Sequence, residues 1–151
     1  MTSNNRKSFL ELKSIWKDEH MFELKVTVSN NMFSGTTEVY DQYESISDFA
    51  KKLIDYPKGN KILFYEAGKK NSYSYFSMKY YPINNIGHIG AEINIESNVS
   101  TVYRPEEKYK LKLEIVVELS AIDNFQKELF NLAKNEEGNA ILFGSDNRLD
   151  N

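Results

Sequence analysis

Apolar and polar residues alternate one by one along much of this chain. Phe22, Leu24, Val26 and Val28 fall on one parity, with Glu23, Lys25, Thr27 and Ser29 on the other. Ile89, Ala91, Ile93 and Ile95 stand likewise against Gly90, Glu92, Asn94 and Glu96. The pattern is clearest in Leu111, Leu113, Ile115, Val117 and Leu119, where only Val116 interrupts the polar parity. Successive side chains of a strand leave opposite faces, so a period of two predicts half-buried strands. Weaker runs predict further strands over 9–16, 36–40, 62–66, 73–81, 99–103 and 140–143. One-sided alternation marks antiparallel strands with one wet face, not a parallel sheet buried on both.

Two segments break the period. Over 47–55, Phe49, Ala50, Leu53 and Ile54 gather on one side of a helix, with Lys51, Lys52 and Asp55 opposite. Ser45 and Asp48 supply an S-x-x-D start able to cap its free amides, and Pro57 and Gly59 stop it. Over 121–134 the stripe is Ile122, Phe125, Leu129, Leu132 and Ala133, with Ser120 and Asp123 at its start and Gly138 after its end. Each helix leads to a final strand, through Gly59-Asn60-Lys61-Ile62-Leu63-Phe64 and Gly138-Asn139-Ala140-Ile141-Leu142-Phe143. The expected class is α+β: a mainly antiparallel β-sheet arrangement of about eight strands with two helices. The recurrence suggests two repeated β-rich units, each ending helix then strand, although generic helix punctuation would leave similar marks. One domain over 1–144 and a polar tail over 145–151 complete the reading.

Composition narrows the chemistry. At 151 residues with 40% hydrophobic content the chain can bury a core, which excludes a disordered segment. It has no cysteine, which removes disulfides, thiolate zinc sites and a cysteine nucleophile. The formal net charge of −3 argues against a nucleic-acid partner, and no run approaches the ~18 apolar residues of a membrane span. The first residues are polar and lead into alternation rather than a signal peptide's apolar stretch, so a cytoplasmic protein is expected, and Asn98-Val99-Ser100 is read as a chance glycosylation triplet. The charge is uneven: residues 1–75 carry net +1 and residues 76–151 net −4.

Candidate catalytic and metal groups are sparse. Only His20 and His88 are present. In Gly87-His88-Ile89-Gly90, His88 could be a base at a strand mouth, in a pocket where Tyr and Glu supply polar groups. The period instead groups His88 with Glu92 and Glu96, which favours a half-exposed strand residue, with Gly87 serving a turn and Gly90 a bulge. No His-x-x-x-His spacing or calcium loop occurs, so neither metal nor cofactor is expected. Glu92 and Glu96 lie about 13 Å apart on one strand face, too far for paired-carboxylate hydrolysis. Gly68-Lys69-Lys70-Asn71-Ser72 lacks a phosphate loop's upstream glycine and following helix, and reads as a hairpin turn.

The aromatic residues are more informative. If Phe76, Met78 and Tyr80 face the core, then Tyr73, Tyr75, Ser77, Lys79 and Tyr81 line the other face. Tyrosine gives large amphipathic contact area at low entropic cost, so three on a wet face suit a binding surface. A ladder that only stabilises the sheet, or a face covered by the N-terminal strand, is the competing reading. Glu92, Glu96, Glu106, Glu107, Glu114 and Glu118 make the second half acidic, which suits a basic partner, although Lys108, Lys110 and Lys112 are interspersed.

Four stretches together resemble small single-domain bacterial proteins grouped as WapI-like immunity proteins. They are Phe22-Glu23-Leu24-Lys25-Val26, Ser47-Asp48-Phe49-Ala50-Lys51-Lys52-Leu53, Gly87-His88-Ile89-Gly90-Ala91-Glu92-Ile93 and Glu118-Leu119-Ser120-Ala121-Ile122-Asp123-Asn124-Phe125. The similarity spans roughly residues 20–135 and lies in core patterning, so no functional residues carry over. It implies a cytoplasmic, non-catalytic protein-binding module that neutralises a cognate toxin domain. The expected contact surface is Tyr73, Tyr75, Tyr81, Glu92 and Glu96. A small-ligand domain or enzyme with a pocket near His88 is the alternative, and self-association through the tyrosine face into a homodimer is a third.

Overall fold

The computed structural model describes residues 8–59, 61–98, 104 and 106–145. In chain order the elements are β1 (Phe9–Lys17), β2 (Phe22–Ser29), β3 (Ser34–Asp41), α1 (Tyr43–Leu53), β4 (Leu63–Gly68) and β5 (Ser74–Pro82). There follow β6 (His88–Asn98), β7 (Lys108–Glu118), α2 (Leu119–Asn135) and β8 (Asn139–Phe143). The strands form two four-stranded antiparallel sheets, β3-β2-β1-β8 and β4-β5-β6-β7, an α+β architecture. The strand expected over 99–103 lies outside the described residues, as do 146–151 of the expected tail. Ser145 is tied in, its amide donating to the Val116 carbonyl at 2.7 Å. No helix among the described residues is long and apolar enough to cross a membrane.

The order of elements, three strands then a helix then a strand, occurs twice. The last strand of each run does not join its own three: β4 pairs with β5, and β8 pairs with β1. Each sheet therefore takes three strands from one half of the chain and one from the other. The helices carry the same inward spacing, Ile46, Phe49 and Leu53 in α1 and Ile122, Phe125 and Leu129 in α2, all buried. A stripe at i, i+3 and i+7 is one face of an α-helix.

The core is one contiguous cluster drawn from both sheets and both helices. Phe49 seats α1 on the second sheet, its ring 5.5 Å from that of Tyr65 and 5.8 Å from that of Tyr80. The α2 helix covers the free edge of β8, where Glu128 Oε1 accepts the Ile141 amide at 2.8 Å and satisfies a donor no strand would reach. Thr37 ties the sheets together, its hydroxyl donating to the Glu96 carbonyl at 2.7 Å. The Tyr65 hydroxyl does the same at the other end of β3, donating to Asp41.

The helix starts differ from the sequence reading. The N-cap residues are Gln42 and Glu118, neither making a side-chain cap bond. Ser45, Asp48, Ser120 and Asp123 all lie inside the helices. The physical reason is that each helix begins almost as soon as its strand leaves the sheet, so the break is set by strand pairing rather than by a capping serine.

Candidate functional site

Register assigns the expected contact residues to one face. Phe76, Met78 and Tyr80 are buried inward, and Tyr75, Ser77, Lys79 and Tyr81 alternate with them on the outer face of the second sheet. On β6, Glu96 stands opposite Tyr75, Glu92 opposite Lys79 and Gly90 opposite Tyr81. On β7, Lys110 stands opposite Glu96, Lys112 opposite Asn94 and Glu114 opposite Glu92. The period of two predicted this face.

The environments along it diverge. Tyr73 lies in the β4–β5 hairpin and is 72% exposed. Tyr75 and Glu96, expected in water, are 1% and 7% exposed, and neither offers a contact surface. The 69–73 hairpin folds over that end of the face. The Asn71 amide donates to Glu96 Oε1 at 2.8 Å, and Asn98 Nδ2 donates to the same oxygen at 3.2 Å and to the Ser72 carbonyl at 2.6 Å. Lys110 Nζ donates to Asn71 Oδ1 at 2.6 Å, and Lys70 Nζ lies 5.7 Å from the centre of the Tyr75 ring. The Tyr75 hydroxyl donates to Glu66 Oε1 at 2.8 Å. Glu96 is a clamp for the hairpin: its carboxylate collects the donors that hold the turn down. Alternation reports which face a side chain takes, not what later folds across that face.

At the opposite end, Tyr81 is half-buried and its hydroxyl donates to Glu114. Burial first and the Glu114 carboxylate next raise its phenol pKa above the ordinary value. Its ring lies across Gly90, where a Cβ would collide with it. Gly90 keeps regular pairing on both sides, so it is a seat for the ring and not the expected bulge. Glu92 is half-buried, with Lys112 Nζ at 3.7 Å and Asn94 Nδ2 at 3.4 Å. Glu92 and Glu114 face each other directly across the strands, a repulsive placement that Lys112 and the Tyr81 hydroxyl offset by engaging one carboxylate each.

His88 closes the β5–β6 connection. Asn84 Oδ1 accepts the amides of Ile86 and His88 at 3.0 and 3.3 Å, which turns Asn84 Nδ2 toward His88 Nδ1 at 3.0 Å. An amide nitrogen only donates, so Nδ1 accepts and the ring proton sits on Nε2. No carboxylate bonds to this ring among the described residues.

Two features of the first sheet escape the sequence pattern. The β2–β3 hairpin holds Met32 and Phe33 at 80% and 62% exposure. Asn30 fixes that tip: its Oδ1 accepts both the Met32 and Phe33 amides at 3.0 and 2.8 Å, and its own amide donates to the Phe33 carbonyl at 3.1 Å. An apolar pair inside a run of turn-forming residues was the available signal. The second feature is Trp16, the only tryptophan. Its parity matches buried Leu10 and Leu12, but the register shifts between Ser14 and Trp16, leaving Ile15 as an extra residue. Trp16 is thereby re-aimed to the outer face opposite Glu23, which is itself opposite Tyr40. The two rings meet edge to face, centroids 6.0 Å apart at 84°. Nothing in the sequence marks this bulge.

No protein-family model, curated protein or solved structure matches this chain.

Proposed function

We propose that this chain is a non-catalytic protein-binding module of the immunity type, acting in the cytoplasm by seating itself on a cognate bacterial toxin domain and blocking that domain's active site. The observation that carries the reading is the Met32–Phe33 tip. Two large apolar side chains held in water have no folding benefit there, since each contributes about 1.5–3 kcal/mol when buried. A tip already ordered by the Asn30 bonds would lose little conformational entropy on entering a cleft, and preorganisation of this kind raises affinity. No charged residue occurs between Lys25 and Glu38, so the hairpin can enter an apolar cleft without desolvating a charge. Tyr73, Tyr81 and Glu92 remain as the accessible members of the tyrosine face and are secondary contacts in this reading. The partner is identified by co-expressing the chain with toxin domains encoded beside it. The expected result is survival of the host and a one-to-one complex, with M32S/F33S losing protection. Failure of every such domain to yield protection, or protection undiminished in the double variant, refutes the reading.

A further inference from the structure

The outer face of the β3-β2-β1-β8 sheet carries an arrangement that folding alone does not require. Trp16, Glu23 and Tyr40 form one cross-strand row over β1, β2 and β3. Trp16 is 47% and Tyr40 54% exposed, and Ile15 beside them is 41% exposed. The rings meet nearly at right angles across the half-buried Glu23, making a corner and not a stack. The Glu23 carboxylate has no hydrogen-bond or ion-pair partner among the described residues. None of the nearby cations forms an ion pair with Glu23 among the described residues. Lys17 pairs with Glu137 at 3.5 Å, and Lys13 and Lys25 occupy the next row, where Lys25 stands opposite Glu38. Strict alternation would have sent Trp16 inward with Leu10 and Leu12. The bulge at Ile15 spends regular pairing to bring the tryptophan out, and bulges characteristically re-aim a side chain in this way.

We propose that this row is a socket for an arginine side chain on the surface of a protein partner. The chemistry selects that occupant. Aromatic faces attract a cation, and a guanidinium stacks on a ring while forking its N–H groups onto a carboxylate. A neutral apolar group would leave Glu23 covered and unpaired, which is costly, and an acidic one would be repelled. The socket lies at the Glu23 end of β2, about 20 Å from its Ser29 end at roughly 3.3 Å per residue, and the Met32–Phe33 tip lies just beyond that end. One partner on this face spans both within an interface of ordinary size. The inference deepens the protein-binding reading and rests on it for the partner's identity, but the socket is tested without that partner.

Trp16 reports on the socket directly, because its fluorescence is the only tryptophan signal. The probe is a short blocked glycine–arginine–glycine peptide, with the citrulline counterpart as an uncharged, equally shaped control. The expected result is a saturable change in Trp16 emission, at least ~10-fold weaker with citrulline and weakened ~5–10-fold by added salt or by E23Q. Y40A is expected to weaken it similarly, whereas Y40F, which keeps the ring, retains it. No saturable change up to ~10 mM peptide, equal response to citrulline, or full binding by E23Q overturns the proposal. A Trp16 shift that instead follows protein concentration alone, with a dimer in sedimentation, also overturns it by assigning the face to a second copy. Because none of these readouts involves a toxin domain, socket failure and failure of the immunity reading remain distinguishable.

Discussion

Tyr80 and Tyr65 show how burial gives single residues their properties. Tyr80 has no exposed surface, and among the described residues its hydroxyl bonds only to the Met78 sulfur, a weak acceptor, at 3.2 Å. Burial drives its phenol pKa up. Burial also raises Tyr65 well above the ordinary value, with the Asp41 charge adding to it, and pushes Tyr56 up to about 12. Each shift favours the protonated phenol in the folded chain. The unfolded chain releases these protons from pH ~10, so above that the folded state binds more protons and stability falls as pH rises. The expected outcome is flat stability on these groups' account below pH ~10 and a cooperative alkaline unfolding above it. Simultaneous growth of phenolate absorbance and loss of circular dichroism would show it. Gradual ionisation of these buried tyrosines without unfolding would contradict it. At this scale the sequence was legible for orientation and not for cover: Tyr75 takes the expected face, yet the 69–73 hairpin lies over it.

At the scale of elements, the strands and helices follow from periodicity because each buries one side only. The helices α1 and α2 were legible from Ile46, Phe49 and Leu53 and from Ile122, Phe125 and Leu129, which face the core at helical spacing. Their starts were not. Ser45 and Ser120 have the sequence form of caps, but the strands run directly into the helices and place both residues within them. A true N-cap serine is worth about 0.5–2 kcal/mol. S45A and S120A are therefore each expected to change stability by less than ~0.5 kcal/mol, as surface substitutions do, in a denaturant titration. A loss of ~1 kcal/mol or more in either would restore the serine as a cap. The bulge at Ile15 marks the limit of pattern reading, since one inserted residue reverses every parity after it and carries no compositional mark.

For the whole molecule, the decisive feature is the exchange of final strands between the two halves. The repeated order of elements was visible in the sequence, but pairing of β4 with β5 and β8 with β1 was not, because alternation carries no information about which strand is whose neighbour. Each half alone has an incomplete sheet and half of a shared core. Separate fragments 1–70 and 71–151 are expected to be largely unfolded alone and to regain the native dichroism spectrum when mixed. A fragment that folds cooperatively by itself would contradict this interlocked account. The same arrangement leaves the Met32–Phe33 tip exposed on a rigid frame, which is the surface the proposed binding role uses. The most direct test is isothermal titration of the toxin domain that co-expression selects, with the wild-type protein and with M32S/F33S. The wild type is expected to bind one-to-one and the double variant to lose at least ~100-fold in affinity with unchanged thermal stability, since losing two buried anchors costs more than ~2.7 kcal/mol. Equal affinity of the two proteins would contradict the proposed binding role.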